Sequence, residues 1–274
     1  LLHLMLNTNQ SIVQEIEISS LKNRGISLFV KRDDLIHETI SGNKWRKLKY
    51  NIESCVVKKK KGILTFGGAY SNHLIATASA CHKSGIKAIG IVRGDELNAE
   101  SNETLKACSL LDMELVFVSR KDYKLRIEKA FVESISIKYP NFMIVPEGGA
   151  NYYGMIGCQE ILKEVEVKPD HIFVAQGTTT TSCGLAMGLI DNQILHVVPA
   201  LKGFNSLSEM ESLYLQSGMD LDWIEQLLGK VEVYPEYHFG GYAKHNLALL
   251  NFIKEFYENH SLKLDPVYTG KAMF

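Results

Sequence analysis

The residues best suited to chemistry are two lysines at the predicted start of a helix. The segment Ser41–Leu48 places Lys44 directly after a Gly-Asn pair, and Lys47 follows three residues later. Residues three apart share one face of a helix. Burial, a helix N-terminus and neighbouring cations lower the pKa of a lysine, and a neutral amine attacks an aldehyde. Taken alone, the segment also fits a basic surface helix with Trp45 and Leu48 turned inward.

A second segment, Gly67–His73, follows a predicted strand and opens a predicted helix. Ser71 is a candidate to exchange a proton with a substrate carbon, and Asn72 is a candidate to donate to a cofactor oxygen. His73 lies in the same segment and is a candidate to face a substrate. Capping of the helix that follows would also explain Ser71 and Asn72. Together, Lys44 and Ser71 favour a Schiff base with a carbonyl cofactor.

A third segment, Gln176–Gly184, is rich in hydroxyl groups and follows another predicted strand. Backbone N–H groups at a helix start bind phosphate, and consecutive threonines are poor helix formers. The segment is neither a Walker loop nor G-x-G-x-x-G, and a plain threonine-rich cap stays an alternative. The predicted phosphate-binding residues are Gly177, Thr178, Thr179, Thr180 and Thr181.

Two tyrosines beside glycines are further candidates. Tyr242 follows Phe239-Gly240-Gly241, and Tyr268 lies in Asp265–Lys271. A tyrosine next to glycine has an accessible ring and hydroxyl, usable for stacking or proton transfer. Each of them, taken singly, also fits an ordinary turn aromatic.

Short apolar runs alternate with helix-period segments along the chain. This alternation predicts an α/β fold with mostly parallel sheets flanked by helices and buried on both faces. The predicted strands are Ile63–Phe66, Ile86–Val92, Leu115–Val118, Phe142–Val145, His171–Ala175, Leu195–Val198 and Val231–Tyr234. The predicted helices are Leu74–Lys83, Ser101–Leu111, Tyr123–Lys138, Tyr153–Glu164, Cys183–Ile190, Ser206–Ser217 and Ala243–Tyr257.

Composition limits the classes of function. The 274 residues carry 30 basic and 31 acidic side chains, so no broad field attracts nucleic acid or an anionic membrane. Five scattered cysteines show no zinc spacing and suit reduced thiols in a cytoplasm. The apolar stretch Leu1–Leu6 is too short for a membrane span. We therefore expect a cytoplasmic protein without a metal ion.

These segments together resemble the family of 1-aminocyclopropane-1-carboxylate deaminases and D-cysteine desulfhydrases. The resemblance runs in order through nearly the whole chain. It covers Val30–Leu35, Gly42–Leu48, Gly67–His73, Pro146–Asn151, the threonine segment, Phe239–Lys244 and Asp265–Met273. It implies pyridoxal 5'-phosphate and the tryptophan synthase β-like fold of two open twisted sheets. It also implies a larger domain of residues 1–46 and 156–274, a smaller inserted domain of 47–155, a homodimer, and a chain that continues past Phe274.

The resemblance also implies roles for single residues. Lys44 forms the Schiff base, Lys47 and the threonines bind the phosphate, and Asn72 binds the ring oxygen. Ser71 faces the substrate carboxylate or α-proton, and Tyr242 and Tyr268 line the substrate side. Thr269 meets the pyridine nitrogen. Whether Lys44, or Ser71 assisted by a tyrosine, removes the α-proton stays open.

Two features depart from the family pattern. Threonines replace glycines of the phosphate loop, and they would be strained wherever a positive φ is needed. Thr269 stands where cyclopropane deaminases carry glutamate, whose charge stabilises a protonated pyridine as an electron sink. Loss of sulfide needs a weaker sink than opening of a cyclopropane ring. We therefore expect elimination from a small amino acid such as D-cysteine, giving pyruvate, ammonia and sulfide.

Several alternatives remain at this point. Within enzymes they are a cyclopropane deaminase and a dehydratase or racemase acting on serine. A catalytically silent protein that binds pyridoxal phosphate belongs to another class. A phosphate binder without aldehyde chemistry is the last alternative, and it predicts a colourless protein.

Overall fold

The computed structural model describes residues 6–190 and 192–274. The apolar stretch noted at the start of the chain, Leu1–Leu6, lies outside the described residues except for Leu6. The chain forms two compact units. Unit 1 consists of the described residues up to Ile12 together with Lys31–Gly157, and unit 2 consists of Val13–Val30 and Cys158–Phe274. The domain boundaries expected at 46/47 and 155/156 stay a prediction.

Nine strands and twelve α-helices are found in the described residues. The strands are β1 (Val13–Ile16), β2 (Leu28–Lys31), β3 (Gly62–Gly68), β4 (Lys87–Arg93), β5 (Met113–Val118), β6 (Phe142–Val145), β7 (His171–Gln176), β8 (Ile194–Pro199) and β9 (Val231–Val233). The helices are α1 (Ser19–Lys22), α2 (Asn43–Val57), α3 (Asn72–Lys83), α4 (Glu103–Leu110), α5 (Arg120–Lys124), α6 (Lys129–Lys138), α7 (Tyr152–Lys163), α8 (Thr180–Gly188), α9 (Ser206–Gln216), α10 (Leu221–Leu228), α11 (Leu247–His260) and α12 (Thr269–Met273).

Unit 1 contains a four-stranded parallel sheet in the order β5-β4-β3-β6. Side chains of β3 alternate between its two faces, as the pleat of a strand requires. Ile63 packs into a cluster with residues of α2, α3 and α4, whereas Leu64 and Phe66 pack into a second cluster with residues of α6. The sheet is therefore buried on both faces, and the predicted parallel sheet flanked by helices is confirmed.

The order of the strands explains how the loops of unit 1 come together. Because β3 and β6 are parallel neighbours, the segments that follow them leave the sheet at the same edge. One of these segments leads into α3, and the other leads into α7. The first carries the candidates Ser71, Asn72 and His73, and the second contains Pro146–Asn151, one of the stretches that carry the resemblance.

Unit 2 contains a three-stranded parallel sheet in the order β7-β8-β9. Tyr214 of α9 donates from its hydroxyl to Cys183 O of α8 at 2.9 Å, which joins two of the helices next to this sheet. The paired strands β1 and β2 contribute Ile16 and partly buried neighbours to a separate cluster with Phe256 of α11. The threonine segment follows β7 and forms the start of α8.

The prediction of a single helix over 123–138 is wrong, because helical structure is interrupted between α5 and α6. Glu128 has φ −76° and ψ 129°, which is an extended conformation. Tyr123 Oη donates to Glu147 Oε1 at 2.9 Å, and Arg126 Nε donates to Glu147 Oε2 at 2.7 Å. These bonds direct both side chains to a carboxylate near the end of β6, and a continuous helix does not form.

The prediction that α11 begins at Ala243 is wrong as well. Ala243 has φ +55°, outside the helical region, and α11 begins at Leu247. Asn246 Oδ1 accepts from Leu249 N at 2.9 Å and caps the helix there. Helix periodicity extends across such a turn in sequence, whereas the cap sets the boundary.

The carboxylate of Asp33 anchors the start of α2. Asp33 Oδ1 accepts from Arg46 Nη2 at 2.9 Å, and Asp33 Oδ2 accepts from Arg46 Nε at 3.1 Å. Ser11 Oγ donates to the same carboxylate, and Gly42 N donates to Asp33 O at 3.0 Å. With Asp33 9% and Arg46 1% exposed, this ion pair is buried. The first turn of α2 and the turn before it are therefore both hydrogen-bonded to Asp33.

Replacing Asp33 by alanine removes the carboxylate that faces the buried Arg46. We expect the free energy of unfolding to fall by about 3–5 kcal/mol, as is typical when one side of a buried ion pair is removed. Urea denaturation measures this loss. Asp34→Ala is the matched control, because Asp34 is exposed and pairs with Arg32 at the surface, so its loss should stay below about 1 kcal/mol. Equal losses in the two variants would contradict the anchoring role.

Candidate active site

The start of α2 presents Lys44 and Lys47 in unit 1. Gly42 precedes the helix with φ +62° and ψ −146°, a conformation that a residue with a Cβ rarely adopts. Lys44 Nζ donates to Asn43 Oδ1 at 2.6 Å, and Lys47 lies one turn later with 4% of its surface exposed. The alternative of a basic surface helix is wrong, because Trp45, Arg46, Lys47 and Leu48 are all buried.

The start of α3 carries the candidates of the Gly-rich segment. Ser71 precedes the helix, and its Oγ accepts from Leu74 N at 3.3 Å. A hydroxyl that accepts a bond can still donate one, so capping and proton transfer by Ser71 do not exclude each other. Asn72 is exposed at the first position of α3, whereas His73 is buried.

The protonation state of His73 follows from its hydrogen bonds. Thr65 Oγ1 donates to Val145 O at 2.8 Å and lies 2.9 Å from His73 Nε2. Since the hydroxyl has only one proton, His73 Nε2 must be the donor to Thr65, and Nδ1 keeps its lone pair. Burial and then the charges of Lys47 and Lys44 lower the pKa of His73 to about 3. His73 is therefore neutral near pH 7.

Gly149, in the loop after β6, lies next to both Lys47 and His73. A Cβ at Gly149 would lie 3.0 Å from Lys47 Cβ and 3.6 Å from His73 Cε1, so a larger residue would crowd the lysine stem. Asn51 Nδ2 donates to Lys47 O at 2.7 Å, and Asn151 Nδ2 donates to Asn51 Oδ1 at 2.8 Å. These bonds tie the loop to α2.

In unit 2 the threonine segment forms the N-terminus of α8. Thr179 precedes the helix with φ −72°, and Thr180 is its first residue. Among the described residues with positive φ there is no threonine, so the strain considered for this segment does not arise. The first N–H groups of a helix lack intrahelical acceptors and carry partial positive charge. The segment therefore offers N–H and hydroxyl donors suited to an anion.

The two predicted tyrosines pack together next to Gly177, the glycine that precedes the threonines, with Tyr268 in direct contact. A Cβ on Gly177 would lie 2.8 Å from Tyr268 Cε1 and 3.1 Å from its hydroxyl oxygen, so the close approach of the ring requires glycine. Tyr242 is 54% exposed and packs edge-on against Tyr268, with ring centroids 6.2 Å apart. Gly177, Tyr242 and Tyr268 are thus brought together within unit 2.

Thr269 is exposed at the first position of α12, with its hydroxyl bound to Asp265. Thr269 Oγ1 donates to Asp265 Oδ2 at 2.6 Å and accepts from Asp265 N at 2.8 Å. The carboxylate also accepts from the backbone N–H groups of Val267, Tyr268 and Thr269. Because its proton is engaged with a carboxylate, Thr269 can offer a partner its remaining lone pair.

Lys271 fixes the loop that leads to Tyr242. Its Nζ donates to His238 O at 2.8 Å and to Gly241 O at 2.9 Å, and only 1% of the residue is exposed. Burial lowers the pKa of Lys271. The two carbonyls accept bonds from the buried ammonium, so this lysine supports the loop and does not face solvent.

Residues 6–190 and 192–274 contain no cluster of three or more His, Cys, Asp or Glu side chains able to hold a metal ion. The helices found in the same residues are all too short or too polar to cross a membrane.

Comparison with known proteins decides the family. The model of a family described as pyridoxal-phosphate dependent enzyme matches residues 8–274, nearly the whole chain. This chain belongs to the pyridoxal-phosphate-dependent enzymes. The family uses pyridoxal phosphate as cofactor, which confirms the cofactor expected from the sequence, and its fold is the tryptophan synthase β-like fold.

The relatives of this pyridoxal-phosphate enzyme agree with the resemblance seen in its motifs. A Pyrococcus horikoshii protein named "Putative 1-aminocyclopropane-1-carboxylate deaminase" is 33% identical over 91% of this chain and 78% of its own. An Arabidopsis thaliana protein named as a bifunctional, mitochondrial D-cysteine desulfhydrase/1-aminocyclopropane-1-carboxylate deaminase is 28% identical over 91% of this chain and 66% of its own. A crystal structure described as an ACC deaminase homologue superposes with a TM-score of 0.77, at 29% identity, covering 98% of this chain and 84% of its own.

The residues of each unit fit the cofactor of the family. In unit 1 a lysine amine at a helix start suits an aldehyde, and a buried acceptor, His73 Nδ1, has no hydrogen-bond partner among the described residues. In unit 2 the N-terminus of α8 and its hydroxyls suit a phosphate. The roles of the single residues toward the cofactor stay predictions.

Sequence reasoning gave no role to Thr65, Lys271 or Asp265, and it left His73 without a defined function. One signal was present for Thr65, since it interrupts the apolar run Ile63–Phe66 in a strand buried on both faces. Asp265 and Lys271 lie in a segment that the sequence did single out. Their partners are set by the fold of the loop at 238–241 and by the start of α12, which the sequence pattern does not specify.

The lowered pKa of His73 makes the stability of the protein depend on pH. Above pH 6.5 the imidazole is neutral in both states, whereas below it only the unfolded chain takes up the proton until pH falls to about 3. Acid therefore destabilises the fold. Between pH 6.5 and 5 the free energy of unfolding of cofactor-free protein should fall by roughly 1.6 kcal/mol more in the wild type than in His73→Gln.

Urea denaturation at the two pH values measures this difference. His245→Gln is the control, because His245 is exposed and its replacement should keep the wild-type dependence. An unchanged pH dependence in His73→Gln would show that His73 is not buried as a neutral imidazole.

Proposed function

We propose that this enzyme catalyses the α,β-elimination of a small amino acid, with D-cysteine as substrate and pyruvate, ammonia and sulfide as products. The observation that carries the choice of substrate is the state of Thr269. Its side chain is a neutral hydroxyl whose proton is bound to Asp265, at the position where the sequence resemblance expects contact with the cofactor ring. Such a group supports a weaker electron sink than a carboxylate in direct contact. Loss of a good leaving group such as sulfide needs only a weak electron sink of this kind.

Lys44 is proposed as the point of covalent attachment, and Lys47 with Gly177 and Thr178–Thr181 as the phosphate-binding group. Pyridoxal phosphate, when bound, supplies a carbonyl that bonds the amino group of the substrate and a ring that accepts the electron pair of the α-carbon. Asn72 is proposed to bind the ring oxygen from the start of α3. Its exposed position at the N-terminus of that helix supports this role.

The remaining residues are proposed to act on the substrate. Ser71 holds its hydroxyl at the N-terminus of α3, where an anionic carboxylate is favoured by the helix dipole. Lys44, or Ser71 assisted by Tyr242 or Tyr268, accepts the α-proton. The Cβ–S bond then breaks, sulfide leaves with the electron pair, and a Cα–Cβ double bond forms. Addition of one water to the resulting enamine gives pyruvate and ammonia.

Deamination of 1-aminocyclopropane-1-carboxylate is the second candidate. Asp265 Oδ2 lies 2.6 Å from Thr269 Oγ1, so a carboxylate stands directly behind the hydroxyl. Through that hydrogen bond the oxygen of Thr269 becomes a better acceptor, and part of the effect of a glutamate is retained. The names of the two curated relatives, one of which carries both activities, also support this candidate. A cytoplasmic location and a homodimer stay predictions.

The substrate is tested by offering D-cysteine, L-cysteine, serine and the cyclopropane acid to the enzyme loaded with pyridoxal phosphate. We expect equal amounts of sulfide and pyruvate from D-cysteine, and no product with Lys44→Ala. A main product of α-ketobutyrate from the cyclopropane acid would instead establish the second candidate. Bound cofactor without turnover of any of the four would make the protein a silent binder. Borohydride reduction followed by peptide mapping should place the reduced adduct on Lys44.

Ser71→Ala removes the hydroxyl that is proposed to assist proton transfer. We expect kcat to fall by about 10²–10⁴-fold, the usual value of a positioned proton donor or acceptor. The lost cap should cost only ~1 kcal/mol of stability. Ser71→Thr keeps both the hydroxyl and the cap and is the matched control. Undiminished turnover in Ser71→Ala would remove Ser71 from the reaction.

A further inference from the structure

A buried hydrogen-bond acceptor in unit 1 is left without a partner. His73 is 4% exposed, and no described residue gives its Nδ1 a hydrogen bond. Leaving a buried polar atom unsatisfied is costly, and such atoms are uncommon in folded proteins. Nδ1 therefore marks a position that a donor is expected to fill.

The fold fixes the direction of this lone pair. Val145 O accepts a hydrogen bond from the hydroxyl of Thr65, and Thr65 Oγ1 in turn accepts a hydrogen bond from His73 Nε2. Because β3 and β6 are paired at Thr65 and Val145, the chain of bonds ends in the backbone of the sheet. The imidazole is thereby held with the proton of Nε2 directed to the sheet, and the unprotonated Nδ1 is left for another donor.

Two ammonium groups determine which donor can bond to His73 Nδ1. Lys47 and Lys44 are the charges that act on His73, with Lys47 the stronger of the two. A neutral imidazole beside two cations is a hydrogen-bond acceptor and not a base, since protonating it would add a third cation. The donor that such surroundings favour is an ammonium N–H.

Two observations favour Lys47 over Lys44: Gly149 lies against both Lys47 and His73, and Lys47 is the stronger of the two charges that act on the imidazole. Lys47 Cβ and His73 Cε1 both lie within 3.6 Å of the position that a Cβ of Gly149 would take, so the lysine stem starts beside the ring. A lysine has a flexible four-carbon stem and three ammonium protons, so Lys47 can donate to His73 Nδ1 and still bind an anion.

We propose that His73 is a positioning residue whose Nδ1 accepts a hydrogen bond from the Lys47 ammonium and directs that ammonium to the phosphate of the cofactor. The inference rests on the proposed function, in which Lys47 binds the phosphate. Thr65 takes part indirectly, because it fixes the tautomer of His73. Lys47 is then held by an acceptor that adds no negative charge, and its full charge is available to the phosphate.

Binding of pyridoxamine 5'-phosphate tests this role without turnover, because this amine cannot form a covalent bond with Lys44. His73→Gln keeps an N–H donor near Thr65 but removes the acceptor, whereas His73→Asn keeps an acceptor near Nδ1. We expect His73→Gln to weaken binding roughly tenfold or more, the value of a hydrogen bond to a charged group, and His73→Asn to weaken it less. Pyridoxamine, which lacks the phosphate, should bind equally to all three proteins.

Combination with Lys47→Met separates the inference from the function on which it rests. If His73 acts through Lys47, His73→Gln should cause no further loss of affinity in the Lys47→Met background. The same tenfold loss in both backgrounds would overturn the inference and leave the role of Lys47 intact. An unchanged affinity in Lys47→Met itself would instead refute the proposed phosphate-binding role of Lys47.

Nitrogen NMR of ¹⁵N-histidine-labelled wild-type protein keeps the inference testable if the variants do not fold. His73 should show a protonated Nε2 and an unprotonated Nδ1 that does not titrate between pH 5 and 8. Adding pyridoxamine 5'-phosphate should shift the Nδ1 resonance toward that of a hydrogen-bonded acceptor. A protonated Nδ1, or a resonance that the ligand leaves unchanged, would overturn the inference.

Discussion

The buried ion pair of Asp33 and Arg46 is the interaction on which the candidate site of unit 1 depends. The carboxylate of Asp33 accepts from the guanidinium of Arg46 in α2, and the backbone oxygen of Asp33 accepts from Gly42 N in the turn before the helix. The first turn of α2 is therefore held at both of its ends. Lys44 lies on this turn and Lys47 begins the next one. Neither could be directed reliably from a frayed helix end, where backbone bonds are missing. The ion pair thus serves position more than net stability, which buried pairs often fail to provide.

Neutral groups beside charged ones are the recurring arrangement in both units. His73 stays neutral because burial and two ammonium groups oppose its protonation, and Thr65 decides which nitrogen carries the proton. Thr269 is neutral by its chemistry, and its hydroxyl donates a hydrogen bond to Asp265. In each case the group donates its proton in a hydrogen bond within the protein, to Thr65 or to Asp265, and a lone pair on His73 Nδ1 or Thr269 Oγ1 stays available to another donor. Such groups bind without changing charge, so they can direct a lysine or a ring nitrogen without competing for its proton.

The strands could be predicted well, and the reason lies in their burial. Runs such as Ile63–Phe66 and Phe142–Val145 are apolar on both faces, and short continuous apolar runs between turn signals are typical of parallel sheets. The strands β1 and β2 were not predicted, because four residues each with mixed burial give no clear period. The helix boundaries near Glu128 and Leu247 were set by side-chain bonds and caps. Periodicity alone carries no information about either.

By itself, the sequence determined which residue types stand at the starts of helices: Lys44 after Gly-Asn, Ser71 before α3, and the threonines after Gly177. Local composition and spacing are sufficient for that, because turns and caps depend on neighbouring residues. Only the tertiary structure decided that Arg46 and Lys47 are buried and that His73 is a neutral acceptor. Burial and proton positions depend on partners distant in sequence, such as Asp33 for Arg46 and Thr65 with Val145 for His73. Their chemistry is fixed by a fold that brings those groups within hydrogen-bond distance, and no spacing along the chain encodes that distance.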